Sequence, residues 1–201
     1  LFLMSGCEIV DASSEVIGKK DLFTGDIQRL LSEENIKKNK INIFDGHFLL
    51  KGLFKNRFQT PGQFASMCFS AKLFKSVQGF SSIMSIYPDA HFSHKILLQN
   101  PKVIYFDEYL FKYREHDKNN LSSIKRFDNI KSLIDPYHTT LLFNSKELSK
   151  INLLNEDLIK AFIKNICLKP ALFSILRGEF NRSVRIFFFA LSAYPSQSLQ
   201  N

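Results

Sequence analysis

Apolar and polar positions follow two regimes along the 201 residues. Up to about residue 124 the apolar runs are short and broken by turn chemistry. From Lys125 onward their spacing is helical. Residues 1–10 (LFLMSGCEIV) read as a buried strand, Asp11–Ser14 as a turn and Glu15–Gly18 as the return of a hairpin. Asp26–Ser32 has the spacing of a short helix, and the lysine-rich Glu33–Asn42 reads as a mobile surface loop. Ile43–Lys55 mixes periods and becomes helical after Gly46, and Thr60-Pro61-Gly62 makes a turn.

The stretch from Pro61 to His116 organises the rest. An apolar run, Phe64–Phe69, leads into a small helix at Ala71–Ser76, which Gln78-Gly79-Phe80 closes with a glycine suited to a left-handed cap. Tyr87-Pro88-Asp89 opens an amphipathic helix reaching about Gln99. Two extended runs, Val103–Phe106 and Tyr109–Tyr113, follow and end on Arg114-Glu115-His116. The polar segment Asp117–Ser123 has no periodicity and marks a boundary or flexible loop.

In the helical part, Pro136 interrupts the first helix, and Leu148–Leu168 carries a wide stripe at Leu154, Leu158, Ile159, Phe162, Ile163 and Ile166. Pro170–Leu176 forms a short helix, Arg177-Gly178-Glu179 a turn, and Asn181–Ala193 a second helix ended by Pro195. Such a hairpin cannot bury its faces alone, so it is expected to dock on the first part or on a neighbour.

Composition narrows this picture only slightly. No apolar run approaches the ~18 residues of a membrane span, and the start lacks the basic region and cleavage site of a signal peptide. The chain opens on Leu1 in mid-strand, which suggests that an N-terminal part is missing. Cys7, Cys68 and Cys167 are far apart among apolar neighbours and read as buried free thiols of a reducing compartment. The net charge of +8 divides into +3 up to Ile124 (16 basic, 13 acidic) and +5 after it (11 basic, 6 acidic). Basic residues are not clustered on one helix face, so the chain is not read as a nucleic-acid binder.

Four segments together resemble the back half of family 2 glycosyltransferases. EIVDASSEVIG resembles their hairpin after the metal-binding acidic motif, and CFSAKLFKSVQGF their helix closed by Val-Gly-Gly-Phe, with Gln78 replacing a glycine. YPDAHFSHKILLQ lies where they have an acidic residue opening a helix, and KVIYFDEYLFKYREH is similar to their closing strands and Tyr-Arg-x-His signature. The tail, LRGEFNRSVRIFFFALSAYP, resembles a helical hairpin appended to many of them. The resemblance implies an α/β chain: residues 1–124 are the C-terminal, acceptor-side half of a GT-A (Rossmann-like) glycosyltransferase domain, and 125–201 an all-helical tail. The family's nucleotide-binding half and its Asp-x-Asp motif have no counterpart here, and Pro88 stands where a second acid is frequent. A sheet lacking its first strands exposes an edge.

By this resemblance the chain transfers a sugar, with inversion, from a nucleotide-diphosphate donor to a saccharide or lipid-linked acceptor in cell-surface polysaccharide synthesis. Asp89 is then the catalytic base, although an Asp at this position is equally an ordinary N-cap. Arg114 and His116 face the leaving diphosphate, where Arg supplies a permanent bidentate charge. His116 is also the expected protein ligand of a divalent metal (Mg or Mn), whose main ligand belongs to the missing half. Gln63 and Ser66 line an acceptor pocket or are ordinary strand residues. His91 and His94, three residues apart, share one helix face. A half-buried or solvated face is the expected reading there, a metal pair the alternative. The expected location is cytoplasmic, with peripheral contact to the inner membrane face through the basic tail. The competing reading is an inactive glycosyltransferase-like scaffold or interaction module.

Overall fold

A computed structural model describes residues 1–20, 41–56, 58, 60–115 and 131–195. The expected helix at Asp26–Ser32, positions 33–40 of the expected loop, the Asp117–Ser123 boundary and His116 lie outside the described residues. Described in order are β1 (Phe2–Val10), β2 (Val16–Lys20), β3 (Ile41–Asp45), α1 (Gly46–Asn56), β4 (Met67–Phe69), α2 (Ala71–Ser76), α3 (Pro88–Leu98) and β5 (Lys102–Arg114). There follow α4 (Lys131–Leu142), α5 (Ser145–Ser149), α6 (Asn155–Phe162), a π-helical turn (Ile163–Leu168), α7 (Lys169–Leu176) and α8 (Phe180–Ala193).

The chain is mixed α/β. Its five-stranded sheet has the order β2-β1-β5-β3, with β4 pairing the same edge of β1 as β2 does. Among the described residues only β1 and β5 run parallel; β2, β3 and β4 pair antiparallel with their neighbours. Phe2, Met4, Val103, Tyr105 and Phe44 come together on one face and are buried there. The two extended runs separated in the sequence at Asp107-Glu108 form one strand, β5. Its register slips where Ser5 faces Phe106 and Gly6 faces Tyr109, so Asp107 and Glu108 have no β1 counterpart. Gly6 permits this bulge: a Cβ there would sit 2.9 Å from the Tyr109 ring.

The strand β3 replaces the end of the expected surface loop. Asn42 and Phe44, not the isoleucines, point into the protein, so its apolar alternation conceals the true inward face. At its end Gly46 meets the turn between α3 and β5. Its N–H donates to the Pro101 carbonyl (2.9 Å), and a Cβ would lie 2.8 Å from the Leu97 carbonyl oxygen. Asn100 then caps α1 by accepting the His47 N–H at 3.0 Å.

The expected helices at 71–76, 170–176 and 181–193 form with shifts of at most one residue. Both Gln78 (φ +57°) and Gly79 (φ +71°) adopt the left-handed conformation after α2. Three expectations change. α3 is not amphipathic, because Ala90, Phe92, Ser93, Ile96, Leu97 and both histidines are all buried. Pro136 lies inside α4 without interrupting it, since packing of Leu133, Tyr137 and Thr140 holds the helix past the missing N–H. Leu154 leaves the stripe to become the exposed N-cap residue of α6, while Leu158, Phe162 and Ile163 are buried.

The helical part and the sheet share one apolar core, running from Phe2 and Phe54 through Phe143 and Leu148 to Phe162, Ile186 and Ala190. Edge-to-face rings mark the seam: Phe54 with Phe143 at 5.2 Å and Phe58 with Phe162 at 6.2 Å between centroids. Tyr194 ties the end of α8 back to α4 by a short hydrogen bond with the Thr140 hydroxyl.

Candidate functional site

The side chains favoured by the sequence separate into two places. The first is the N-terminus of α3. Pro88 occupies the first turn, where its missing N–H costs nothing, and Asp89 follows it. One carboxylate oxygen of Asp89, which is half-buried, accepts the Ala90 N–H at 3.0 Å. α3 runs back against β5, which it feeds through the turn at Gln99–Pro101. The Phe92 ring lies on Phe69 of β4 at 5.4 Å, and the Ser93 hydroxyl, which donates to the Asp89 carbonyl at 2.7 Å, lies 3.8 Å from Met67 Sδ. Asp89 sits one helical turn beyond Ser93, ~6 Å along the axis, on the side toward which the parallel strands β1 and β5 run.

The loop before Asp89 is fixed by a residue that sequence reasoning missed. Asp135, on α4, is 2 % exposed. Its carboxylate accepts the backbone N–H groups of Ser85 (3.0 Å), Ile86 (2.7 Å) and Tyr87 (2.6 Å), and the Ser85 hydroxyl at 3.3 Å. A buried carboxylate satisfied in this way holds the loop rigid against α4. The one trace of it in the sequence is an Asp-Pro pair inside a helical pattern, and nothing there names partners 48–50 residues upstream.

His91 and His94 form no solvated face. His91 packs edge-on against Phe143 at 5.7 Å and His94 against Phe54 at 5.0 Å. Burial, and after it the Lys95 charge, push His91 down to about 4, partly opposed by Asp135, so its imidazole is neutral at pH 7. Gln63 and Ser66 form a tight 3-10 turn beside α3, with Phe64 on Phe92 at 5.8 Å. Ser66 is buried, and both its N–H (2.9 Å) and its hydroxyl (2.8 Å) donate to the Gln63 carbonyl.

The second place is the end of β5. The Arg114 guanidinium donates to the carbonyls of Asp11 (3.1 Å) and Ala12 (2.6 Å) and to the Ser14 hydroxyl (2.8 Å). It clamps the β1–β2 turn. The Asp11 carboxylate supports the same turn by accepting from Ser13 and the Glu15 N–H, and those bonds, chiefly with the Ser13 side chain, hold it below the usual carboxylate range. His116 lies outside the described residues, and among the described residues no group of three His, Cys, Asp or Glu side chains could hold a metal ion. The cysteines also divide: Cys7 and Cys167 are buried, but Cys68 is exposed on β4. Burial pushes the Cys167 thiol up to about 12.

No protein-family model matches the chain, and no curated protein matches it. Among the described residues no helix is long and apolar enough to cross a membrane.

Proposed function

We propose that this chain is the acceptor-side part of an inverting, GT-A-type glycosyltransferase that uses a nucleotide-diphosphate sugar, with Asp89 as the general base. The observation that carries the reading is the placement of Asp89: a carboxylate in the first turn of a buried helix, toward the C-terminal side of the parallel strand pair. Its approach loop is fixed by Asp135. The order of hairpin, capped helix, acid-led helix and closing strand supports it as well.

In the proposed reaction Asp89 takes the proton of the acceptor hydroxyl as that oxygen bonds to the anomeric carbon. The bond to the diphosphate breaks on the opposite face, and the diphosphate leaves with the electron pair. A divalent metal would neutralise that charge; no ligand for it is assigned among the described residues. Arg114 would assist only by letting go of the β1–β2 turn. That engagement is the specific observation in favour of the second reading, a glycosyltransferase-like scaffold without transfer activity.

The test uses the complete natural polypeptide carrying these residues, a panel of nucleotide-diphosphate sugars and Mg²⁺ or Mn²⁺. Release of nucleoside diphosphate with an inverted anomer in the product, lost in Asp89→Asn, is the expected result. Release that survives Asp89→Asn removes Asp89 as the base. No release from any donor leaves the scaffold reading standing.

A further inference from the structure

The α7–α8 hairpin is apolar on both faces. Its polar Ser174 and Ser183 are buried, 1 % and 6 % exposed, while large apolar side chains face outward. On α8 the inward positions are Ser183, Ile186 and Ala190; Val184 and Phe188 lie on the far side and Phe187 on the flank, all three exposed. On α7 Leu172, Phe173 and Leu176 are exposed, Leu176 to 73 %. Between the two helices and the π-helical turn runs a groove of about 530 Å³, lined by apolar side chains from both helices and bordered by Lys164 and Lys169.

Charge selects the occupant. From Ile163 to Tyr194 the chain carries five cations (Lys164, Lys169, Arg177, Arg182, Arg185) and one anion, Glu179, a difference of +4. Glu179 is itself bridged to Arg182 at 2.7 Å. A second copy of this face would set +4 against +4 around the apolar contact, which opposes self-association. An anionic lipid surface answers both features, because apolar side chains enter the acyl boundary while Lys and Arg meet the headgroups.

We propose that the outer face of the α7–α8 hairpin docks on an anionic lipid bilayer, lying in its interface without crossing it. The proposal does not depend on the transferase reading, and its test reads binding, not transfer.

The experiment is flotation of the full chain with vesicles of phosphatidylcholine, alone or mixed with phosphatidylglycerol. The chain should float with the mixed vesicles, not with the neutral ones, and added salt should weaken the association. The double variants Phe187→Ser/Phe188→Ser and Lys164→Glu/Lys169→Glu should each lower the bound fraction at least ~10-fold without changing sedimentation of the free protein. If the serine pair fails to fold, the exposed lysine pair carries the test alone. Absence of binding to mixed vesicles, equal binding to neutral ones, or binding unchanged in the variants that fold overturns the proposal. So does a dimer that the serine pair dissociates, which would assign the face to a second copy.

Discussion

Asp89 and Arg114 stand at opposite kinds of terminus, and the molecule holds them in opposite ways. The loop leading to Asp89 is gripped from a distant part of the chain by the buried Asp135 and backed by buried rings. Arg114 is held in the open, by the β1–β2 turn on the strand next to its own, 100–103 residues upstream. A carboxylate on a rigid element suits the base proposed for Asp89; a guanidinium closing an exposed turn is already engaged. Two residues that look equally functional in the sequence thereby part company.

The largest expected effect comes from cutting the buried anchor. Asp135→Ala leaves three backbone N–H groups without their acceptor, and should cost ~3–5 kcal/mol in denaturant unfolding. Asp135→Asn keeps one carbonyl oxygen and should cost less. An Asp135→Ala loss no greater than that of Arg114→Ala would break the contrast between the two ends.

Acid should act on α3 itself, through His91. His91 is held neutral near 4, below its ordinary 6.5, so the unfolded chain takes up this proton first as pH falls. Stability from this residue is therefore intact above about pH 6.5, declines down to about pH 4 and is lost below it, on the order of 3 kcal/mol in all. His91→Gln should flatten that part of a melting-temperature profile, and an unchanged slope would contradict the buried, neutral imidazole.

At the other end, Arg114→Ala removes three exposed hydrogen bonds and should cost only ~1 kcal/mol. The gentlest probe leaves stability alone: a thiol reagent should label Cys68 in the native state, and Cys7 and Cys167 only on unfolding. Rapid native labelling of Cys167 would mean that the shared core opens readily.

Local signals made much of this fold legible. The hairpin around Asp11–Ser14, α2 with its Gln78-Gly79 end, the Pro88 start of α3 and the Gly178 turn all follow from residues within a few positions of one another. What escaped was long-range. Asp135 gains its meaning from partners in another element, and the full burial of α3 depends on Phe143 and the aromatic cluster of Phe64, Phe69 and Phe74 closing over it. β3 escaped because its inward face carries Asn42. Of the site, Asp89 was legible as the acid at a helix start; what fixes that start was not.

The most direct test of the central claim is the rate of nucleoside diphosphate release by Asp89→Asn in the complete polypeptide. A loss of at least ~100-fold at an unchanged melting temperature is the predicted result for a general base. A rate within a few fold of the parent would contradict it and leave Asp89 as a first-turn carboxylate that only complements the helix dipole.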